Sequence, residues 1–294
     1  MSNVMIARTP PVRPEFVRET GDASHVGAIE RPLSAWERIT NVTAVRRVFI
    51  LVLLAATWQV YSSYLNNPLM FPTFADTARA SWDALLSGGL LRKAWVSIEV
   101  LLMGYAAGVA IAAVLTTLAV STRFGNDLLA TLTAMFNPLP AIALLPLAML
   151  WFGLGNASLI FVLIHAVLWP LSLNTHSGFM GVSETLRMAG RNYGLHGLGY
   201  VARILIPGAF PSILAGLKIA WAFAWRTLIA AELVFGVSSG SGGLGWFIFE
   251  NKNELEIPYV FAGLTTVIII GLLVENVIFG NVENATVRRW GMQH

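Results

Sequence analysis

The sequence predicts an all-α, polytopic membrane protein of about six transmembrane helices with both termini in the cytosol, and three observations carry that expectation. The first is composition. Of 294 residues, 56% are hydrophobic and 12% charged, whereas a soluble domain has roughly 45–50% apolar and about 25% charged residues. Half the usual charge cannot cover a water-facing surface. The second is a series of six apolar segments, at 48–65, 94–120, 127–151, 157–176, 210–236 and 258–281, each near the ~20 residues that cross ~30 Å of hydrocarbon. The third is the placement of the cations. With the N-terminus inside, thirteen of the nineteen Lys and Arg fall in cytoplasmic parts, four (Arg79, Arg92, Lys93, Lys252) fall outside, and Lys218 and Arg226 lie in or beside the fifth segment. Short cytoplasmic loops are enriched in Lys and Arg, so the count supports this orientation. It also assigns the net charge of +3 to topology and lipid headgroups, and no nucleic-acid partner is expected.

Taken in order, residues 1–47 are polar, with Pro10, Pro11, Pro14 and Pro32 and charges of both signs. They lack the apolar core and cleavage site of a signal peptide, so a retained cytoplasmic tail is expected. Its last part, 33–47, places Leu33, Trp36, Ile39 and Thr43 on one helical face, which predicts a helix lying on the membrane surface. Residues 48–294 are read as one membrane domain. The third segment carries Pro138, Pro140 and Pro146, and the fourth is expected to end near Pro170. Proline inside a span frees carbonyls that need other partners, so such helices pack against protein or line a cavity. The third and fourth segments are therefore expected to be central.

Between the fourth and fifth segments, 177–209 form the inner loop. From Gly178 to Pro207 it reads GFMGVSETLRMAGRNYGLHGLGYVARILIP. An amphipathic stretch, glycines at 194, 197 and 199, and a second short helical stretch predict two short helices projecting into the cytosol, the shape of a docking element.

The candidate chemistry is sparse. Lys218, Arg226 and Glu232 lie in one span, an expensive place for charge unless they face protein or water. Arg226, with planar donors suited to carboxylate, sulfonate or nitrate, is a pathway candidate; a structural pair with Glu232 or Glu99 is the alternative. Lys218 is expected to reach the cytoplasmic headgroups. Glu232 is expected to hold helices together rather than handle protons. Trp221 and Trp225, deep in the fifth span, could stack on an organic solute. His165 and His176 lack the second ligand of a metal site, and Cys is absent, so no metal is expected. The run Gly240 to Gly245 (GSGGLG) lacks the Lys and Ser/Thr of a phosphate loop. No ATP site and no cofactor are expected in this chain. There is no GxSxG and no placed triad, so it is not expected to be an enzyme.

The loop also has a motif. Met188, Ala189 and Gly190, then Gly194, Ile204, Ile206 and Pro207, resemble the EAA loop, EAA-x3-G-x9-I-x-LP, of permease subunits of bacterial ABC importers. The stretches NPLPAIALLPLAMLWFGLGNAS, PGAFPSILAGLKIAWAFAWRTLIAAEL and SGSGGLGWFIF are similar to the nitrate, sulfonate, taurine and bicarbonate branch of that family, and the resemblance runs from about 48 to 290. It implies a type I importer fold in the bacterial inner membrane. Two permease chains, here a homodimer, would form the path for a small anion. Two cytoplasmic ATPase subunits would hold ATP and Mg, and an external binding protein would deliver solute. The loop would be the coupling helix that docks on the ATPase, with Gly194 at the turn, Ile204 and Ile206 on the following helix and Pro207 at its end. The departure is Met188, where the family often has Glu; Glu184, one turn earlier, could substitute. An ion-coupled secondary transporter is the alternative, although no repeat between the halves is visible. A membrane-embedded enzyme would need a cluster of His or acidic residues that the sequence does not place.

Overall fold

A computed structural model describes residues 41–235 and 242–291. Among these residues there is no strand. The elements are α1 (Thr43–Leu65), α2 (Phe74–Leu86), α3 (Gly89–Ser121), α4 (Arg123–Phe136), α5 (Leu145–Phe152), α6 (Asn156–Gly181), α7 (Glu184–Asn192), α8 (Gly197–Tyr200), α9 (Phe210–Phe235), α10 (Leu244–Asn253) and α11 (Ile257–Leu273). Five helices are long and apolar enough to cross a membrane, and α4 with the 141–152 segment, bent by 86° at its break, adds a sixth where that pair is one span. The fold is thus all-α and polytopic, as composition and periodicity require.

The chain divides into two units at Leu54 and Ala55, inside α1. The described part of the first, 41–54, holds the first turns of that helix, and its apolar side chains from Val48 to Leu54 are exposed, which suits lipid and not water. The surface helix expected at 33–47 lies mostly outside the described residues. Its last five residues, 43–47, are the first turns of α1, so the span begins earlier than its apolar run.

In the second unit, α6 is the hub. Half of its apolar window is buried, against 28% for α3 and 11% for the last span. α3 and α9 lie on either side of it, and Leu101, Leu163, Val167, Leu171, Ala224 and Leu228 form the core between them. The closeness of α3 to α6 has a simple cause. Gly104, Gly108, Ala112 and Thr116 recur every four residues and are buried, so one face of α3 is nearly flat. A Cβ on Gly104 would stand 2.5 Å from Leu163 Cβ, and one on Gly108 would stand 2.7 Å from Val167 Cβ. Without a hydrophobic drive between helices in lipid, such small-residue faces are what permit close packing.

Two prolines behave differently from expectation. α6 does not end near Pro170 but continues to Gly181; the span loses one backbone bond there and is held by α3 and α9 on both flanks, while Asn174 Nδ2 donates to Pro170 O at 2.7 Å. Pro207 does not terminate its helix either. The run from α8 passes through a wide π-helical turn, Val201–Leu205, where the Ile206 amide reaches back five residues to Val201 O. Pro207 sits in the short turn that follows, Ile206–Gly208, and the chain breaks at Ala209 instead. The wider turn accommodates a ring that lacks a donor. The expectation for 258–281 also changes: helical backbone with two π-helical segments runs on from α11 to Arg288.

Gly108→Leu should overpack the α3–α6 contact at a cost of about 1–3 kcal/mol. The thermal midpoint of the purified chain in detergent should fall, with Gly108→Ala intermediate; an unchanged midpoint for the leucine variant would contradict the contact.

Candidate functional site

Three places carry the residues that the sequence singled out. The first is the loop after α6. Ser183 caps α7, its Oγ accepting from the Leu186 amide at 3.4 Å, and Glu184 occupies the first turn, where a carboxylate is favoured. The other end of α7 closes in a Schellman pattern. The Gly194 amide donates to Arg191 O at 2.9 Å and the Leu195 amide to Gly190 O at 3.1 Å, with Gly194 at φ +74°. That left-handed position is the reason for glycine there.

Gly190 is required for space. A Cβ on it would stand 2.7 Å from Ile204 Cγ1, so α7 packs on the returning helix through this pair. Beneath, Phe179, Val182, Val201, Leu205 and Ala209 form a small core. Arg187 ties the end of α6 to α7, donating from Nε to Val182 O at 3.0 Å and from Nη2 to Phe179 O.

The seven motif positions therefore divide by role. Gly190, Gly194 and Ile204 build the element, Ala189 is half-buried, and Met188, Ile206 and Pro207 are exposed. Tyr193 (86% exposed), Leu198 (75%) and Met188 (54%) are exposed large side chains of this element that the motif leaves uncovered. The sequence reading passed over Tyr193, Leu198 and Arg187; the glycine motif located the turn but not the side chains it leaves uncovered.

The second place lies inside the bundle. Glu232 on α9 is 5% exposed and Ser97 on α3 fully buried. Ser97 Oγ lies 2.8 Å from both Glu232 carboxylate oxygens, the Gly245 amide donates to Glu232 Oε2 at 2.8 Å, and the Leu244 amide donates to Ser97 Oγ at 2.8 Å. The first turn of α10 is thus held by two side chains from two other helices, which meet amides that have no partner inside their own helix. Gly245 allows the approach, since its Cβ would stand 2.5 Å from Glu232 Cβ. At the same end Lys93 Nζ stands 4.0 Å from Glu250. Gly240 and Ser241, the start of the GSGGLG run, lie outside the described residues.

The third is the middle of α9. Arg226 pairs with neither Glu232 nor Glu99 and has no ion pair among the described residues. It is exposed, its Nε donates to Ala222 O at 3.0 Å, and its guanidinium sits 5.0 Å over the Phe223 ring. Trp225 faces inward, 6% exposed, and donates to Val267 O at 3.2 Å. Trp221 packs edge-on to Tyr105 at 5.5 Å and Phe279 at 6.4 Å. Both indoles belong to helix interfaces in this chain, and neither lies beside Arg226. Lys218 reaches Glu283, which also meets Arg288 at 3.8 Å, where a headgroup contact had been expected. Among the described residues no group of three His, Asp or Glu could hold a metal ion.

The described residues form an all-α bundle of five apolar spans, six where the bent pair is one span, with a glycine-capped pair of short helices after α6. The chain belongs to the family of binding-protein-dependent transport system inner membrane components, whose profile matches residues 88–289. It is similar to a protein of Escherichia coli assigned to aliphatic sulfonates transport as a permease, at 30% identity over 77% of this chain and 85% of that one. It is also similar to the taurine transport system permease protein of the same organism, at 28% over 76% and 82%, and to the nitrate import permease protein of a Synechocystis strain, at 27% over 82% and 88%.

Ser97→Ala should leave the Leu244 amide and one carboxylate acceptor without their shared partner, at a cost of about 1–3 kcal/mol. Hydrogen exchange at Leu244 and Gly245 should accelerate while that at α7 stays unchanged. Equal protection in wild type and variant would refute the clamp.

Proposed function

We propose that this chain forms the inward path of an ATP-driven importer for a small anion, working as a homodimer with two cytoplasmic ATPase subunits and an external binding protein. ATP and Mg reside on the ATPase. Both termini and the 177–209 loop face the cytosol in this reading, consistent with the distribution of cations. The observation that carries it is the α7–α8 element. Met188, Tyr193 and Leu198 are uncovered apolar side chains on a pair of short helices whose base is braced by Arg187 and the Gly190–Ile204 contact. An exposed apolar surface on a rigid support suits a protein partner. Met188, in place of an acidic residue, leaves the contact with the ATPase to apolar burial, with Glu184 as the nearby carboxylate.

The names of the relatives, sulfonate, taurine and nitrate, support a small oxyanion as cargo. Arg226, well inside α9, has no carboxylate partner among the described residues, and it is assigned to attract that anion. Glu232, Trp225 and Trp221, the other pathway candidates, act in this reading by fixing the helices that place Arg226.

The test is ATP-dependent uptake into proteoliposomes containing the permease, its ATPase and its binding protein. Gly194→Val forces a β-branched residue into the left-handed region at about 1–3 kcal/mol. Uptake and stimulated ATP hydrolysis should both fall by about tenfold or more. Uptake that survives ATP depletion and collapses with an uncoupler would overturn the reading.

Arg226→Gln should lower anion uptake by about tenfold, the loss of one charge-assisted contact, with an unchanged thermal midpoint because no ion pair is broken within the chain. Full uptake by that variant would remove Arg226 from the path.

A further inference from the structure

Two cavities adjoin where α3 ends. The first, about 470 Å³, is a groove lined by Ala113, Val114, Thr117, Leu118 and Ser121 of α3 and by Leu198 of α8. The second, about 510 Å³, is walled by Ser121 together with Arg123, Asn126 and Asp127 of α4 and Arg187 and Arg191 of α7. Ser121 borders both, so an apolar arm and a cationic arm meet at one residue. Each volume falls within the ~300–1,000 Å³ of ligand pockets.

The cationic arm sets three guanidinium groups against the single carboxylate of Asp127. None of these four side chains forms an ion pair among the described residues. Arg123 and Arg191 are exposed, so their donors are open to a ligand. Half-buried Arg187 spends Nε and Nη2 on the Val182 and Phe179 carbonyls, which fixes its head and leaves Nη1 uncommitted. Arg187 and Arg191 are one turn apart on α7 and share a face, and Arg123 reaches the same space from the start of α4. The Asn126 amide adds a neutral donor. Planar guanidinium forks converging on one space match the oxygens of a phosphate.

The apolar arm decides what carries that phosphate. Ala113 to Leu118 belong to the apolar run of α3, and Val114 there is 68% exposed. A cytosolic protein segment does not reach into a span, and a free phosphate gains nothing from an apolar groove. An occupant of both arms has an anionic head and an apolar tail. We infer that the two arms together seat one anionic phospholipid, with its phosphate among Arg123, Arg187 and Arg191 and part of an acyl chain along Ala113, Val114 and Leu118. Basic pockets at the ends of spanning helices are where such headgroups gain most. The inference does not depend on the cargo or on the importer reading. Its consequence is mechanical: a phosphate shared by α4 and α7 ties the loop after α6 to the corner between α3 and α4, so the hold on that loop varies with the lipid around it.

The full-length chain, stripped of lipid in detergent, is titrated with phosphatidylglycerol and, in parallel, with phosphatidylcholine of the same acyl chains, and bound lipid is counted by native mass spectrometry. Phosphatidylglycerol should bind saturably and at least about tenfold more tightly than phosphatidylcholine. Arg123→Gln combined with Arg191→Gln should weaken it by about tenfold or more. The lipid-free thermal midpoint of that variant should stay at the wild-type value, because neither side chain is paired within the described residues. Arg46→Gln combined with Arg47→Gln, at the start of α1, should leave binding unchanged; an equal loss there would mean general attraction to cations and would overturn the site. Ala113→Trp fills the groove without removing a charge and should also weaken binding. Glycerol 3-phosphate, a headgroup without chains, should not compete at the lipid's concentrations. Equal affinity for the two lipids, or full binding by the arginine variant, would overturn the site. Full binding by Ala113→Trp, or competition by glycerol 3-phosphate as effective as by lipid, would overturn the assignment to a lipid in favour of a free phosphate.

Discussion

The approach of α3 to α6 through Gly104 and Gly108 governs the rest of the bundle. In hydrocarbon, apolar side chains gain little by leaving lipid for one another, so helix association depends on dispersion contacts and on polar groups that find partners. A flat face on α3 brings it against Leu163 and Val167. With that contact made, α6 is covered on one side by α3 and on the other by α9, and the Leu101, Leu228 and Ala224 layer fills. Only then does Ser97 on α3 come within reach of Glu232 on α9, a hydrogen bond between residues 135 apart in sequence.

The Ser97–Glu232 clamp and the α7–α8 element lie toward opposite ends of α9. α6 runs from Asn156 to Gly181, directly into the base of the loop, and α9 starts at Phe210, just after the break at Ala209, and carries Glu232 near its far end. Packed helices move as bodies, because a close-packed interior transmits displacement instead of absorbing it. In the importer reading, a push on the loop would be carried along α9 to the residues holding α10. The π-helical turn at Val201–Leu205 and the break at Ala209 lie between loop and span, where irregular backbone allows such a lever to be jointed.

Much of this was legible in the residues. The five long apolar helices and the bent pair followed from runs of apolar residues, and the short helices around Gly194 followed from local rules of capping and turn formation. The predicted ends were less secure. Pro170 and Pro207 were expected to stop helices, and both sit inside helical backbone. Proline's cost is local, but whether a helix continues through it depends on the neighbours that hold the two halves together. The same limit applied to charge. Sequence spacing allowed Arg226 to pair with Glu232 or Glu99, yet Glu232 faces α3 and α10 while Arg226 lies against Phe223.

The sequence by itself determined the solvent, the long apolar helices and the short helices of the loop after α6, since each depends on interactions within a turn or two of chain or on the cost of placing charge in lipid. Only the tertiary structure decided which buried polar groups meet. Glu232 finds Ser97 and the Gly245 amide, Ser97 finds the Leu244 amide, Lys218 finds Glu283, Trp225 finds the Val267 carbonyl, and His165 and Trp169 find no partner among the described residues. The physical reason is that a donor in hydrocarbon must find an acceptor somewhere, and the helix register and packing that select it are set by contacts from every part of the chain.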